Sequence, residues 1–395
     1  MVKWFVERFY NIKEEKEKNM KKLGLSLLSL LVMFMVITMA SCQKDTYEIA
    51  LITDVGTIDD KSFNQGAWEG VVRYAEENDI SHEYYQPAAK TTPAYVEAIE
   101  LAIENGAEVV VTPGFLFENA IWTVQTEYPD VKFILLDGSP HNVVNWGTME
   151  TLEDSGDPDF TVEDNVLSIF YAEEESGFLA GYAAVKEGFI ELGFMGGMAV
   201  PAVIRFGHGY VQGANYAAEE MELATDAINI RYTYLGTFNE DAAYQTRAAT
   251  WFTGGIEVIF AAAGGAGNSV MKAAEQQDDE AWVIGVDVNQ SAESDTVITS
   301  AKKELNNSVY DALESIYDGS FEGGRSVTFD ATIDGVGLPD DFSRFDTFTQ
   351  AMYDDIFEMV ADDDITIIGD TVEGQDDVLT YIDTESTYVT VDFRE

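Results

Sequence analysis

The stretch Glu48-Ile49-Ala50-Leu51-Ile52-Thr53-Asp54-Val55-Gly56-Thr57-Ile58-Asp59-Asp60-Lys61-Ser62-Phe63-Asn64 decides the fold. Its first six residues hold a short continuous apolar run, the pattern of a strand buried on both faces. A polar loop containing Gly56 follows, and over 64–78 the residues Ala67, Val71, Val72 and Ala75 recur at helical spacing. A buried strand that feeds a loop and then an amphipathic helix is the opening of an α/β fold.

Outward from there the alternation continues. Helices are expected over 93–105 and 118–128, with strands over 109–112 and 132–136, the last ending at Asp137. A connector rich in Gly and Asp over 150–159 precedes a strand near 166–168, and 176–186 reads as a closely packed helix of small residues. Further strands are expected at 192–195, 228–234, 258–262, 282–286 and 296–300. The helices between and after them fall at 204–221, 241–253, 268–277, 306–317 and 346–359. This spacing implies parallel sheets joined by right-handed crossovers.

The chain has 395 residues, 46% of them apolar, too many for one comfortable core, so two lobes are the expectation. We assign 46–165 with about 290–320 to lobe 1, and 166–289 with about 321–395 to lobe 2.

Lys21-Lys22, an apolar run over 23–38 and the small residues Ala40-Ser41 lead to Cys42. That order is a signal peptide; a retained membrane helix needs about 20 apolar residues. Met20 opens a conventional leader, so 1–19 is set aside as an extension or a start-site error. Cys42 is the chain's single cysteine, which excludes an internal disulfide and a multi-cysteine metal site and leaves lipidation as its use.

The net charge is −50. Removing residues 1–41 takes away seven basic and four acidic residues and leaves 15 basic against 68 acidic, a net charge of −53. Repulsion on this scale opposes compaction at low ionic strength, so a saline setting that screens it is the leading explanation. The same field disfavours nucleic acid, anionic membrane surfaces and phosphate esters as partners.

In open α/β sheets ligands bind beyond the carboxyl ends of strands. Five places qualify: 54–64, 114–119, Asp137, the turn Gly264-Gly265-Ala266-Gly267, and Asp287. An enzymatic reading would use Asp59, Asp60 and Lys61, but adjacent loop side chains need not converge. His82, His141 and His208 are far apart, and no His-Glu-x-x-His or Gly-x-Ser-x-Gly is present, so metal hydrolysis and triad chemistry lack support. Asp362-Asp363-Asp364 reads as a solvated turn, because a calcium loop starting there would need glycine where Ile367 stands. No enzyme activity, metal or cofactor is expected.

Thr53 to Gln65, Glu175-Ser176-Gly177-Phe178-Leu179-Ala180-Gly181, Gly285-Val286-Asp287 and Thr299-Ser300 together resemble the basic membrane protein family of bacterial lipoproteins, the purine-nucleoside-binding subset of bilobed periplasmic-type receptors. The likeness runs from about residue 46 to the C-terminus and weakens after Tyr317. It implies a type I periplasmic-binding-protein fold with the ligand in the interlobe cleft. It also implies that Phe63 stacks on the base, with Phe206 as the ring on the other face. Asp137 and Asn64 would hold the base edge, with Asp54 as their buttress. Asp287 fits a ribose diol, since one carboxylate accepts from both hydroxyls, and Gly264 lets backbone approach the sugar. The family pattern places the 5′-hydroxyl contact at Lys303, with Lys302 one residue out of register.

No Walker-type loop or arginine cluster is present, which favours the bare nucleoside over a nucleotide. The function so implied is capture of a nucleoside by a monomer anchored through Cys42 on the outer face of the cell membrane, and delivery to the permease and ATPase of an ABC importer. Two alternatives stay open: a ligand-sensing lipoprotein that signals to a membrane kinase, and a binder of another heterocycle such as riboflavin.

Overall fold

Strand β1 (Ile49–Ile52) and helix α1 (Phe63–Glu77) form where the opening stretch predicts them. The computed structural model describes residue 20 and residues 46–54, 56–152, 156–278, 280–369 and 386–394. The expected leader and Cys42 lie outside the described residues. Everything below concerns the unit that begins at Tyr47.

After α1 come β2 (His82–Tyr85), α2 (Thr92–Glu104), β3 (Val109–Pro113), α3 (Glu118–Glu127) and β4 (Lys132–Leu136). A small hairpin of β5 (Val143–Asn145) and β6 (Glu150–Thr151) precedes β7 (Val166–Tyr171) and α4 (Glu173–Glu187). Next are β8 (Glu191–Gly196), α5 (Pro201–Glu220), β9 (Ile228–Tyr234), α6 (Ala242–Thr253), β10 (Val258–Phe260), α7 (Gly267–Ala274), β11 (Trp282–Asp287) and β12 (Val297–Lys303). The chain closes with α8 (Leu305–Asp318), β13 (Arg325–Phe329), β14 (Val336–Gly337), α9 (Gln350–Ala361) and β15 (Val389–Phe393).

Two large sheets result. The first runs β13-β7-β4-β3-β1-β2 and the second β14-β12-β11-β10-β8-β9-β15. Every pairing in them is parallel except β12 with β14. Both repeat one doubly wound order, with the first strand of each lobe inside and the second at its flank. Alternate residues of β1 enter different cores: Ile49 and Leu51 pack on one side, Ala50 and Ile52 on the other. Such two-sided burial is why the strands read as unbroken apolar runs.

Three strands sit in a different sheet from the one their chain position suggested. β7, expected to open the second lobe, pairs with β4 in the first sheet, and β12, expected in the first lobe, pairs with β11 in the second. β13, expected with the second lobe, pairs with β7 in the first sheet. α8, by contrast, packs on α1 beside the first sheet. The chain therefore passes between the sheets three times among the described residues: between Tyr171 and Glu173, between Lys303 and Leu305, and between Phe329 and Val336. Strand order alone could not show this, because a strand's sheet is chosen by which edge is open when its apolar faces need cover.

α4 and α5 approach unusually closely. A Cβ on Gly177 would lie 2.2 Å from the Phe206 carbonyl oxygen, and one on Gly181 would lie 2.1 Å from that of Tyr210. The small-residue helix read from the sequence thus has a structural purpose: it brings the first turn of α4 against the first turns of α5.

The acidity has a direct test. Raising ionic strength from about 0.01 M to about 1 M shortens the screening length from about 30 Å to about 3 Å, so the melting temperature is expected to climb steadily with added sodium chloride. A melting temperature unchanged across that range would show that repulsion among the carboxylates does not limit stability.

Candidate ligand-binding cleft

The carboxyl ends of β1, β3 and β4 in the first sheet face those of β8, β10 and β11 in the second across a cleft of about 380 Å³. Small-molecule sites span about 300–1,000 Å³, so the space suits one compact ligand. Asp54, Phe63, Asn64, Asp137, Phe206, Gly264, Asp287 and Lys303 all line it. The structure thus brings the eight residues expected at the ligand into one place.

Two carboxylates stand at strand ends in the left-handed backbone region, Asp137 with φ 53° after β4 and Asp287 with φ 66° closing β11. Non-glycine residues hold that conformation at a cost of the order of 1 kcal/mol or more, kept where the surroundings dictate it. Gly264, φ 54°, opens the turn after β10.

Lys303 is the centre of the charge network. Its Nζ lies 2.6 Å from Asp137 Oδ2, 2.7 Å from Glu173 Oε1 and 4.0 Å from Asp287 Oδ1. The same ammonium sits over three rings, 4.9 Å from the centroid of Phe63, 5.2 Å from Tyr171 and 5.5 Å from Phe206. Lys302, one residue earlier, turns away and pairs with Glu304. Geometry therefore settles the register between the two lysines. Lys303 is the one at the cleft.

The remaining polar groups are fixed by one another and by side chains behind the cavity wall. Glu173 is fully buried and its other carboxylate oxygen accepts from Arg205 Nε at 2.5 Å. Asp287 Oδ2 accepts from Ser62 Oγ of the facing lobe. Asn64 donates to Asp54 Oδ1 and Asp60 Oδ2, both at 2.9 Å, and its Oδ1 accepts from the Asp54 N–H. Expected as a base-edge donor, Asn64 has both amide hydrogens already committed. Its visible work is to hold Asp54.

Burial pushes the Asp137 carboxyl up to about 7, helped by the nearby Glu173 and opposed by Lys303. Burial likewise raises Asp287 against the pull of Lys303. Burial works against charge on Glu173 as well, but Arg205 and Lys303 outweigh it and hold that carboxyl low. For Lys303 burial disfavours the charge, yet Asp137, Glu173 and Asp287 together push its pKa up. Burial is the leading cause at all four groups, and the charges then set the balance, because three carboxylates share two cations in a low-dielectric pocket.

Asp137 Oδ1 is buried and has no hydrogen-bond partner among the described residues. Buried acceptors are satisfied in nearly all folded proteins, so an unpaired carboxylate oxygen on a residue that lines the cleft is unusual. Glu173, Arg205 and Tyr171 went unselected in the sequence. Glu173 lies in the acidic run Glu173-Glu174-Glu175, which by pattern is an ordinary helix N-terminus. Only its full burial sets it apart.

A family profile described as "Bmp: ABC transporter substrate-binding protein PnrA-like" matches residues 48–373. The chain belongs to the Bmp family. Its members are transporter binding proteins and not enzymes, and the paucity of catalytic motifs agrees with that. Among relatives of this Bmp-family chain is the "ABC transporter nucleoside-binding protein BmpA" of Lactococcus lactis, 29% identical over 316 residues, covering 75% of this chain and 82% of that protein. Basic membrane protein B of Borreliella burgdorferi is 29% identical over 299 residues, 74% of this chain and 80% of its own length. Among solved structures, an ABC-transporter solute-binding protein of Aeropyrum pernix superposes with a TM-score of 0.68 at 23% identity, covering 85% of this chain and 96% of that one. A second, from Conexibacter woesei, gives 0.61 at 23% identity over 82% and 99%. These likenesses identify the fold as the type I periplasmic-binding-protein fold. No helix among the described residues is long and apolar enough to cross a membrane.

Proposed function

We propose that the Bmp-family cleft of this chain binds a nucleoside, with a purine as the favoured base, and that the loaded protein delivers it to its ABC importer. The carrying observation is the convergence on one ammonium of two aromatic side chains and two strand-end carboxylates that line the cleft, with Asp137 Oδ1 left without a hydrogen-bond partner among the described residues. Phe63, half-buried, offers a face for a planar ring, a stack contributing about 1–3 kcal/mol; Phe206 also lines the cleft but is 1% exposed, so it closes the pocket behind the ring and presents no free face. Asp137 accepts from a ring N–H, Asp287 from the sugar hydroxyls, and Gly264 lets backbone come close. Lys303 would meet the 5′-hydroxyl. Asp54, fixed by Asn64, supports the base edge.

Charge favours the unphosphorylated ligand. A pocket with more carboxylates than cations, in a chain of net charge −50, repels a phosphate ester. Cys42 is the proposed lipid attachment point, and the carboxylate-rich surface the proposed adaptation to saline surroundings. Closure about the three crossings, with ligand bridging the lobes, is the proposed mechanism of loading. Mass spectrometry of small molecules released from the purified protein, followed by calorimetry with inosine, guanosine, adenosine, uridine and riboflavin, tests the cargo. Riboflavin binding with no nucleoside binding would replace this reading.

A pH dependence follows from Asp137. An ionised carboxylate accepts from a ring N–H and the protonated form does so poorly. With its pKa pushed up to about 7, affinity for a base donating to it is expected to increase as pH rises through neutrality and to level off above. Calorimetry across that range checks the sign; affinity that falls with rising pH would place a different group at the base edge.

A further inference from the structure

The buried pair Glu173 and Lys303 occupies a position in the fold that ligand contact does not explain. Glu173 is the first residue of α4, just past the first crossing, and Lys303 is the last residue of β12, just before the second. Their 2.7 Å approach ties two crossing segments together. The third crossing is stitched to the same knot. The Ala172 N–H donates to the Phe329 carbonyl at 3.0 Å, and the Glu304 N–H donates to that of Gly335 at 2.9 Å. Glu175 Oε2 accepts from the Ala331 N–H at 2.7 Å.

Glu173 does not line the cleft, yet it touches the ammonium that does. We propose that Glu173 is a positioning residue that couples cleft occupancy to the hinge, by fixing Lys303 where the crossings meet and where Asp137 and Asp287 present their carboxylates to ligand. The inference rests on the reading of the cleft as the ligand site. A ligand hydroxyl or ring N–H that draws on Asp137 or Asp287 changes what those groups offer Lys303, and the ammonium can answer only by leaning further on Glu173. Arg205, held against the other oxygen by the close contact of α4 and α5, keeps Glu173 from following. The charged and titratable groups around the pair are therefore Asp137 from β4, Tyr171 from β7, Glu174 from α4, Arg205 from α5 and Asp287 from β11.

Glu173→Gln preserves shape and removes the charge. In ligand-free full-length protein labelled with nitrogen-15 lysine, the solvent-shielded ammonium of Lys303, assigned by its loss in Lys303→Arg, is expected to broaden or disappear in Glu173→Gln. In calorimetry with inosine the variant is expected to bind at least about tenfold more weakly. The pH midpoint of binding should also move down, because Asp137 then faces one carboxylate fewer. Scattering should show a smaller ligand-induced compaction. An unchanged ammonium signal with unchanged midpoint and affinity, even alongside a lower melting temperature, overturns the proposal and leaves Glu173 a structural residue. If wild-type protein binds no nucleoside, the cargo reading fails while the ammonium signal still decides the role of Glu173. Should Glu173→Gln not fold, Arg205→Lys loosens the same hold with the charge kept: the ammonium signal, the affinity and the compaction are expected to move in the same direction by less, while the pH midpoint, with Glu173 still charged and Arg205 no longer held close, is expected to stay or rise. No movement in any of them overturns the proposal.

Discussion

Replacing Lys303 by methionine is expected to lower unfolding stability by about 3–5 kcal/mol, the cost of stripping one partner from a buried ionic network. Lys303 stands 4% exposed among Asp137, Glu173 and Asp287. Without it Arg205 alone is left to compensate three carboxylates. The deficit should depend on pH in a definite sense. A carboxyl whose pKa is raised on folding contributes stability that is complete below its unfolded value and is lost as pH climbs through the folded one. Asp137 already titrates near 7 against an ordinary 3.8, and removing the ammonium raises it further. The variant is therefore expected to be closest to wild type in mild acid and to fall behind as pH rises past neutrality. Urea unfolding at several pH values measures it, and a deficit that grows on acidification would contradict the network described.

Phe63→Ala is expected to weaken ligand binding about five- to 150-fold, the loss of one aromatic stack worth about 1–3 kcal/mol. The ring is half-buried at the first turn of α1 and lines the cleft. Its contact with the Lys303 ammonium adds about 1 kcal/mol to the folded state, so the unfolding midpoint should shift only slightly. Phe206→Ala is a less discriminating variant. That ring is 1% exposed and packs edge-on against Phe260 at 5.8 Å, so its removal opens a core cavity costing about 3–5 kcal/mol as well as the wall behind the ligand. Affinity unchanged in Phe63→Ala, in calorimetry with whichever nucleoside the wild type binds, removes this ring from the site.

The helices and most strands were legible because each carries its own periodicity. β2 was not: His82-Glu83-Tyr84-Tyr85 is an edge strand with one neighbour, only partly covered, so it lacks the apolar run that marks β1 or β3. The hairpin of β5 and β6 is too short to show alternation. In the cleft, glycine turns and strand-end aspartates stood out because their chain positions alone point to a sheet's carboxyl edge. Glu173 and Arg205 did not, since a glutamate at a helix start and an arginine beside a phenylalanine look the same whether buried or solvated.

From sequence alone came the alternation of strand and helix, the acidity, the strand-end aspartates and the glycine turn, all properties of local order and composition, while the family likeness added Phe63, Asn64, Phe206 and Lys303. Tertiary structure alone decided which sheet each crossing strand joins, that Lys303 and not Lys302 enters the site, and that Asn64 is spent on its neighbours. The reason is physical: the first outcome depends on which sheet edge is open, the second on which groups more than a hundred positions apart share a low-dielectric space, and the third on how a loop folds back on itself, and no local pattern records these contacts.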